Sequence, residues 1–218
     1  MRTHIIFGAS ILVLIVAFVF GSSYYKGKQA AKIGFMAQEN AELFVRPHSQ
    51  TLGSDDAKVY LVEFMDPACE TCAAFSPFVK QLMNANPGKI KLVLRYAPFH
   101  EGADYFVKIL EAAKMQGKYW ETLDIMYKKQ GYWTSHHKAQ PEKVWPLLSQ
   151  VGLNLERIKK DINDPSIAKL IEQDMADAKA LNVRKTPGFF VNGKPLQTFG
   201  SKQLLQLIQS ELDANYPE

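Results

Sequence analysis

Cys69 and Cys72 are the only cysteines in the chain, separated by Glu70 and Thr71 alone. Two thiols at this spacing can exchange a disulfide if the first stands at the start of a helix. Unpaired backbone N–H groups and the positive end of the helix dipole then favour the thiolate, the form of cysteine that attacks sulfur. The second thiol falls one turn later on the same face, within reach of a mixed disulfide formed on the first. In this reading Cys69 is the exposed, reactive nucleophile with a lowered pKa, and Cys72 is the buried thiol that resolves the intermediate.

Other chemistries compete for the same pair. A structural zinc site needs about four ligands, and the chain has no second C-x-x-C. A purely structural disulfide would close a very small loop and add little stability, because the gain grows with loop length. Two soft thiolates also suit Cu(I), with Met65 or a histidine as a further ligand, although no Met- or His-rich tract is present. A copper-handling metallochaperone is therefore the alternative from a different class, and a catalytically quiet interaction domain is a third. Disulfide exchange runs on the two sulfurs themselves, so neither a cofactor nor a metal is expected.

The elements around the pair suit exchange. Val59-Tyr60-Leu61-Val62-Glu63-Phe64-Met65 is an apolar run that reads as a buried strand, and Ala73 onward reads as a helix to about residue 84, with Pro77 inside it as a kink. Leu43-Phe44-Val45-Arg46 suggests a first short strand, and Gly53-Ser54-Asp55-Asp56 a turn. Ile90 to Tyr96 is the next strand, reached by a right-handed parallel crossover. From Gly102 to about residue 181 the pattern is helical, and Trp120, Trp133 and Trp145 read as packing residues. His136-His137 reads as part of a solvated loop. Phe189-Phe190-Val191, Asn192-Gly193 and 195–199 then form a hairpin, and Ser201 caps a last helix to about residue 212. This order of elements is a thioredoxin fold of the α/β class with a large inserted helical domain. The boundaries read as 43–100 for the first half, 101–181 for the insertion and 182–214 for the second half.

Ahead of these elements, 1–25 reads as a membrane anchor or signal segment and 26–42 as a stalk. Ile5 to Phe20 is almost wholly apolar, about 16 residues, a length between a short transmembrane helix and a signal-peptide core. Tyr24-Tyr25 suits an interfacial belt, which favours an uncleaved anchor over cleavage near Gly21-Ser22-Ser23. A disulfide-exchanging pair behind such a segment belongs in an oxidising compartment. The 218 residues leave roughly 190 for one domain. The net charge of +4 is mild and spread along the chain, which argues against nucleic acid as a partner.

Val62-Glu63-Phe64, Asp66, Cys69-x-x-Cys72, Gly117-Lys118-Tyr119-Trp120 and Thr186-Pro187-Gly188-Phe189-Phe190-Val191-Asn192-Gly193 together resemble the DsbA-like thiol:disulfide oxidoreductases. The likeness spans most of 52–212. It implies that the Thr186–Pro187 bond is cis and that this loop packs against Cys69 and pairs with an extended substrate segment. It also implies that Glu63 is a buried acid of raised pKa that relays a proton to or from Cys72. The implied partners are cysteine-containing exported proteins and a redox partner that recycles the pair, and the implied location is the bacterial inner membrane, with the catalytic domain facing the periplasm or the exterior. The chain departs from the best-known oxidase between the cysteines, where Glu70-Thr71 replaces Pro-His. Glu70 should weaken the thiolate by like-charge repulsion, so Glu70 and Thr71 are expected to modulate the site. His100, at the end of the second long strand, is a further modulating candidate, and His48 is another residue expected to flank the site after folding. Oxidase activity is favoured over isomerase or reductase activity.

Overall fold

The computed structural model describes residues 41–135 and 138–217. The expected anchor at 1–25, the stalk up to residue 40, and His136-His137 lie outside these residues. Among the described residues no helix is long and apolar enough to cross a membrane.

In chain order the elements are α1 (Ala41–Phe44), β1 (Gln50–Gly53), β2 (Val59–Met65), α2 (Glu70–Ala85), β3 (Ile90–Tyr96), α3 (Ala103–Lys114), α4 (Tyr119–Lys128), α5 (Gln130–Trp133), β4 (Thr134–Ser135), β5 (Lys138–Ala139), α6 (Trp145–Leu148), α7 (Leu155–Asp161), α8 (Pro165–Ala180), β6 (Gly188–Val191), β7 (Lys194–Pro195) and α9 (Ser201–Asn215). Every residue of β2 is buried, as its unbroken apolar run requires of a strand covered on both faces. It pairs parallel with β3 and antiparallel with β6, which places Glu63 between Leu94 and Phe189. The five-stranded sheet runs β1-β3-β2-β6-β7. The core strand therefore carries the active-site turn at its C-terminal end.

The first strand is not where the sequence suggests. Ala41–Phe44 is a helical turn, and β1 forms only after Pro47, antiparallel to β3. The apolar and polar residues at 43–46 serve contacts other than strand pairing. Phe44 packs edge-on to Phe190, with ring centroids 5.1 Å apart, and Arg46 makes a two-pronged bond to Asp177 at 2.8 and 2.9 Å. The hairpin after Pro187 is present, with Asn192 and Gly193 both at positive φ, the geometry of a tight two-residue turn. Its second strand is shorter than expected and stops at Pro195, while Phe199 leaves the sheet to lie 4.5 Å from the Phe75 ring. Ser201 is the first residue of α9 and makes no cap bond; Gly200 precedes the helix.

The insertion between β3 and β6 packs as its periodicity implies. Trp133 is fully buried, stacked 4.1 Å from Phe106 and donating Nε1–H to the Met126 carbonyl at 2.9 Å. Trp120 and Trp145 are half-buried against the same core. A buried charge cluster ties the insertion to the sheet. Arg95, fully buried on β3, donates to Asp174 and Asp177 of α8, and Asp174 also accepts the Tyr96 N–H at 2.8 Å. His48 joins this cluster, 2.6 Å from Asp174, instead of the cysteine site.

Asp174→Ala leaves Arg95 with Asp177 as its remaining carboxylate and strips the buried Tyr96 N–H of its acceptor, and a buried polar group left unsatisfied costs about 1–3 kcal/mol. Asp174→Ala is therefore expected to lower unfolding stability by that amount, read as a fall in the denaturant midpoint at unchanged slope. A change within about 0.5 kcal/mol, the range of a surface substitution, would show that Asp177 alone satisfies the cluster.

Candidate active site

At the end of β2 the chain turns through Asp66, Pro67 and Ala68, and Cys69 becomes the residue preceding α2. Three sets of bonds fix this turn. The Cys69 N–H donates to the Asp66 carbonyl at 3.0 Å. The Asp66 carboxylate is fully buried and accepts the N–H groups of Ala68 at 2.8 Å and of His100 at 2.9 Å, with His100 Nδ1 at 2.7 Å. From the helical insertion, buried Gln130 donates its side-chain amide to the Pro67 carbonyl at 2.9 Å and the Cys69 carbonyl at 3.1 Å. His100 thus reaches the site through Asp66. The sequence reading gave no role to Asp66 or Gln130, and no local pattern around Gln130 distinguishes it.

Both cysteines are thiols. Cys72 is fully buried, as expected. Cys69 is only 5% exposed, so the open thiol of the sequence reading is not what folding produces. The loop bearing Thr186 covers it, and the Cys69 thiol donates to the Thr186 carbonyl at 3.3 Å. The Thr186–Pro187 bond is cis. Gly188 keeps the loop close to Val183, since a Cβ at this position would meet Val183 Cγ1 at 2.8 Å.

The two thiols are driven apart electrostatically. The Cys69 pKa falls to about 5: the Cys72 thiol donates to its sulfur, burial opposes the shift, and the Thr186 side chain and the backbone N–H groups of Cys72 and Thr71 lower it further. Burial, then the bond to Cys69, pushes Cys72 well above an ordinary thiol. The weak thiolate expected from Glu70 is therefore corrected. Glu70 and Thr71 are exposed in the first turn of α2, and the donors facing Cys69 outweigh them.

Glu63 is 5% exposed beneath the pair, and burial followed by the Cys69 charge raises it to about 8. Thr71 and the 185–187 loop also border a groove of about 690 Å³ that runs on to Leu196 and Phe199. Among the described residues no cluster of three or more His, Cys, Asp or Glu side chains is placed to hold a metal.

A family model described as thioredoxin matches residues 46–210. A Na(+)/H(+) antiporter NhaA of Herminiimonas arsenicoxydans is 30% identical over 145 residues, 66% of this chain, and the chain spans only 22% of that relative's length. A probable disulfide bond formation protein D of Bacillus cereus is 28% identical over 159 residues, covering 70% of this chain and 74% of the relative. The crystal structure of a thioredoxin-like oxidoreductase from Silicibacter pomeroyi superposes with a TM-score of 0.69 at 29% identity, over 79% of this chain and 96% of the other.

The site geometry sets two expectations. Alkylation of the reduced protein should modify Cys69 before Cys72, at a rate that is flat at neutral pH and falls below about pH 5, where the sulfur protonates. A rate still climbing at pH 8, or preferential labelling of Cys72, would contradict this. Gln130→Leu removes two donors to the turn and should raise that inflection by about one pH unit, roughly the free energy of one hydrogen bond; an unmoved inflection would confine Gln130 to packing.

Proposed function

The chain belongs to the thioredoxin family, and from that membership we propose that it is a DsbA-like, exported thiol:disulfide oxidoreductase whose disulfide oxidises cysteine pairs in other exported proteins. The observation that carries the reading is the Cys69 sulfur, held with a pKa of about 5 beside a fully buried thiol of raised pKa. A stabilised thiolate favours the reduced form of the protein, and a stable reduced form makes the disulfide oxidising. This supports oxidase over isomerase or reductase.

In the oxidising direction, a substrate thiolate attacks Cys69 Sγ, the Cys69–Cys72 bond breaks, and Cys72 leaves with the electron pair. The raised pKa of Cys72 requires that it take up a proton, and Glu63, half-protonated near pH 8, is the acid that supplies it. A second substrate thiolate then attacks the substrate sulfur of the mixed disulfide and releases Cys69 as a thiolate, which its low pKa makes a good leaving group. Two electrons have moved from substrate to protein, and a redox partner must remove them. The Thr186 backbone beside Cys69 holds the substrate segment by strand-like pairing, with Glu70 and Thr71 on the rim. The apolar segment at 5–20 supports export and retention at a bacterial inner membrane, with the domain on the periplasmic or outer side.

The reduction potential of the pair tests the direction. It is expected to lie above about −200 mV, in the range of oxidising members of the superfamily, and a value near −270 mV would make the protein a reductant. In cells, Cys72→Ala should accumulate mixed disulfides with exported proteins and Cys69→Ala should not. Equal trapping by both variants would remove the assignment of nucleophile and resolving thiol.

A further inference from the structure

One buried polar group is left without a part in this chemistry. The Tyr127 hydroxyl, on α4, is buried and has no hydrogen-bond partner among the described residues. A buried hydroxyl left unpaired is costly, and such groups are almost always satisfied by protein or by ordered water. Tyr127 borders a cavity of about 20 Å³ shared with Glu63, Ser76 and Lys80 and otherwise walled by apolar side chains. About 10–15 Å³ holds one water when two to four polar groups line the space. The Glu63 carboxyl and the Tyr127 and Ser76 hydroxyls meet that condition.

The cavity also has a direction. Glu63 stands at its buried side, next to the cysteines. Ser76 and Lys80 of α2 are partly exposed, and Lys80 pairs with Asp124 of α4 at the surface. We propose that this cavity is a water site in which the Tyr127 hydroxyl holds one water molecule against the Glu63 carboxyl, and that this water carries the Glu63 proton between the core and solvent past Ser76 and Lys80. The proposal rests on Glu63 as the proton carrier for Cys72. Each time Cys72 takes a proton from Glu63, the water returns one to the carboxylate and draws another from solvent; no electrons move. Tyr127 stays protonated, since burial and then the nearby charges of Cys72 and Glu63 push its pKa far up. It is a positioning residue that acts through the water. The other titratable groups facing Glu63 are Cys69, Cys72, Lys80 of α2 and Tyr119 of α4, while β1 and β3 contribute only leucines to the cavity.

Tyr127→Phe in the full chain removes only the hydroxyl. A water that donates to Glu63 favours its carboxylate, so the inflection near pH 8, above which the Cys72 step slows, should move up by about half to one pH unit, while the step at neutral pH, where the carboxyl is already mostly protonated, changes little. The infrared carbonyl band of protonated Glu63, identified by its loss in Glu63→Gln, should shift to higher frequency. Val79→Ile, which adds a methyl group to the cavity wall without touching a polar group, should reproduce both changes by displacing the water, and it keeps the test open if Tyr127→Phe fails to fold. An unmoved inflection and band in a folded variant would overturn the water site. A wild-type protein without disulfide exchange would instead overturn the oxidoreductase reading, so the two failures are distinct.

Discussion

The site turns on one interaction, the stabilisation of a negative charge on a sulfur that is almost closed off from water. At 5% exposure, Cys69 has little solvent to hold its charge, and burial alone would raise its pKa. Donors from two parts of the fold replace that solvent: the Cys72 thiol and the first amides of α2 on one side, and Thr186 on the other. The helix and the 185–187 loop must therefore both be in place for the thiolate to exist. The turn that presents Cys69 is fixed in the same way, by Asp66 from the strand end and by Gln130 from the insertion.

The same burial acts in opposite directions on groups a few ångströms apart. It leaves Cys69 low because hydrogen bonds to the charged form win there, and it leaves Cys72 and Glu63 high because nothing comparable faces them. This asymmetry separates a leaving group from a proton acceptor. It also creates a difficulty, since an acid this far inside must still exchange protons with the medium. The small cavity beside Tyr127 lies between Glu63 and the partly exposed Ser76 and Lys80.

The helical insertion is part of the active domain's structure. Arg95 and Tyr96, at the end of β3, are held by Asp174 of α8, and Tyr96 also bonds to Glu111 of α3 and Tyr119 of α4. Leu94, one residue earlier on the same strand, stands opposite Glu63. The ion cluster and the hydroxyl network therefore fix the position of the strand that flanks the proton-carrying acid.

Much of this was legible in the residues. The C-x-x-C between an apolar run and a helix, the Thr186-Pro187 loop and the Asn-Gly turn each state a local requirement, and local requirements survive into the fold. The apolar run of β2 likewise marked a buried strand, while the burial of Glu63 within it came from the family resemblance. What could not be read locally came from contacts between residues far apart in the chain. The 43–46 segment looked like a short strand, yet Phe44 and Arg46 are drawn to Phe190 and Asp177. Gln130 and Tyr127 carry no motif, and their place beside the cysteines exists only once the insertion docks. The charge at Glu70 argued for a weak thiolate, but a charge on an exposed side chain is screened by water, whereas the donors inside the site are not. The sequence thus names the reacting sulfurs, and tertiary packing decides how tightly the charge is held on one of them.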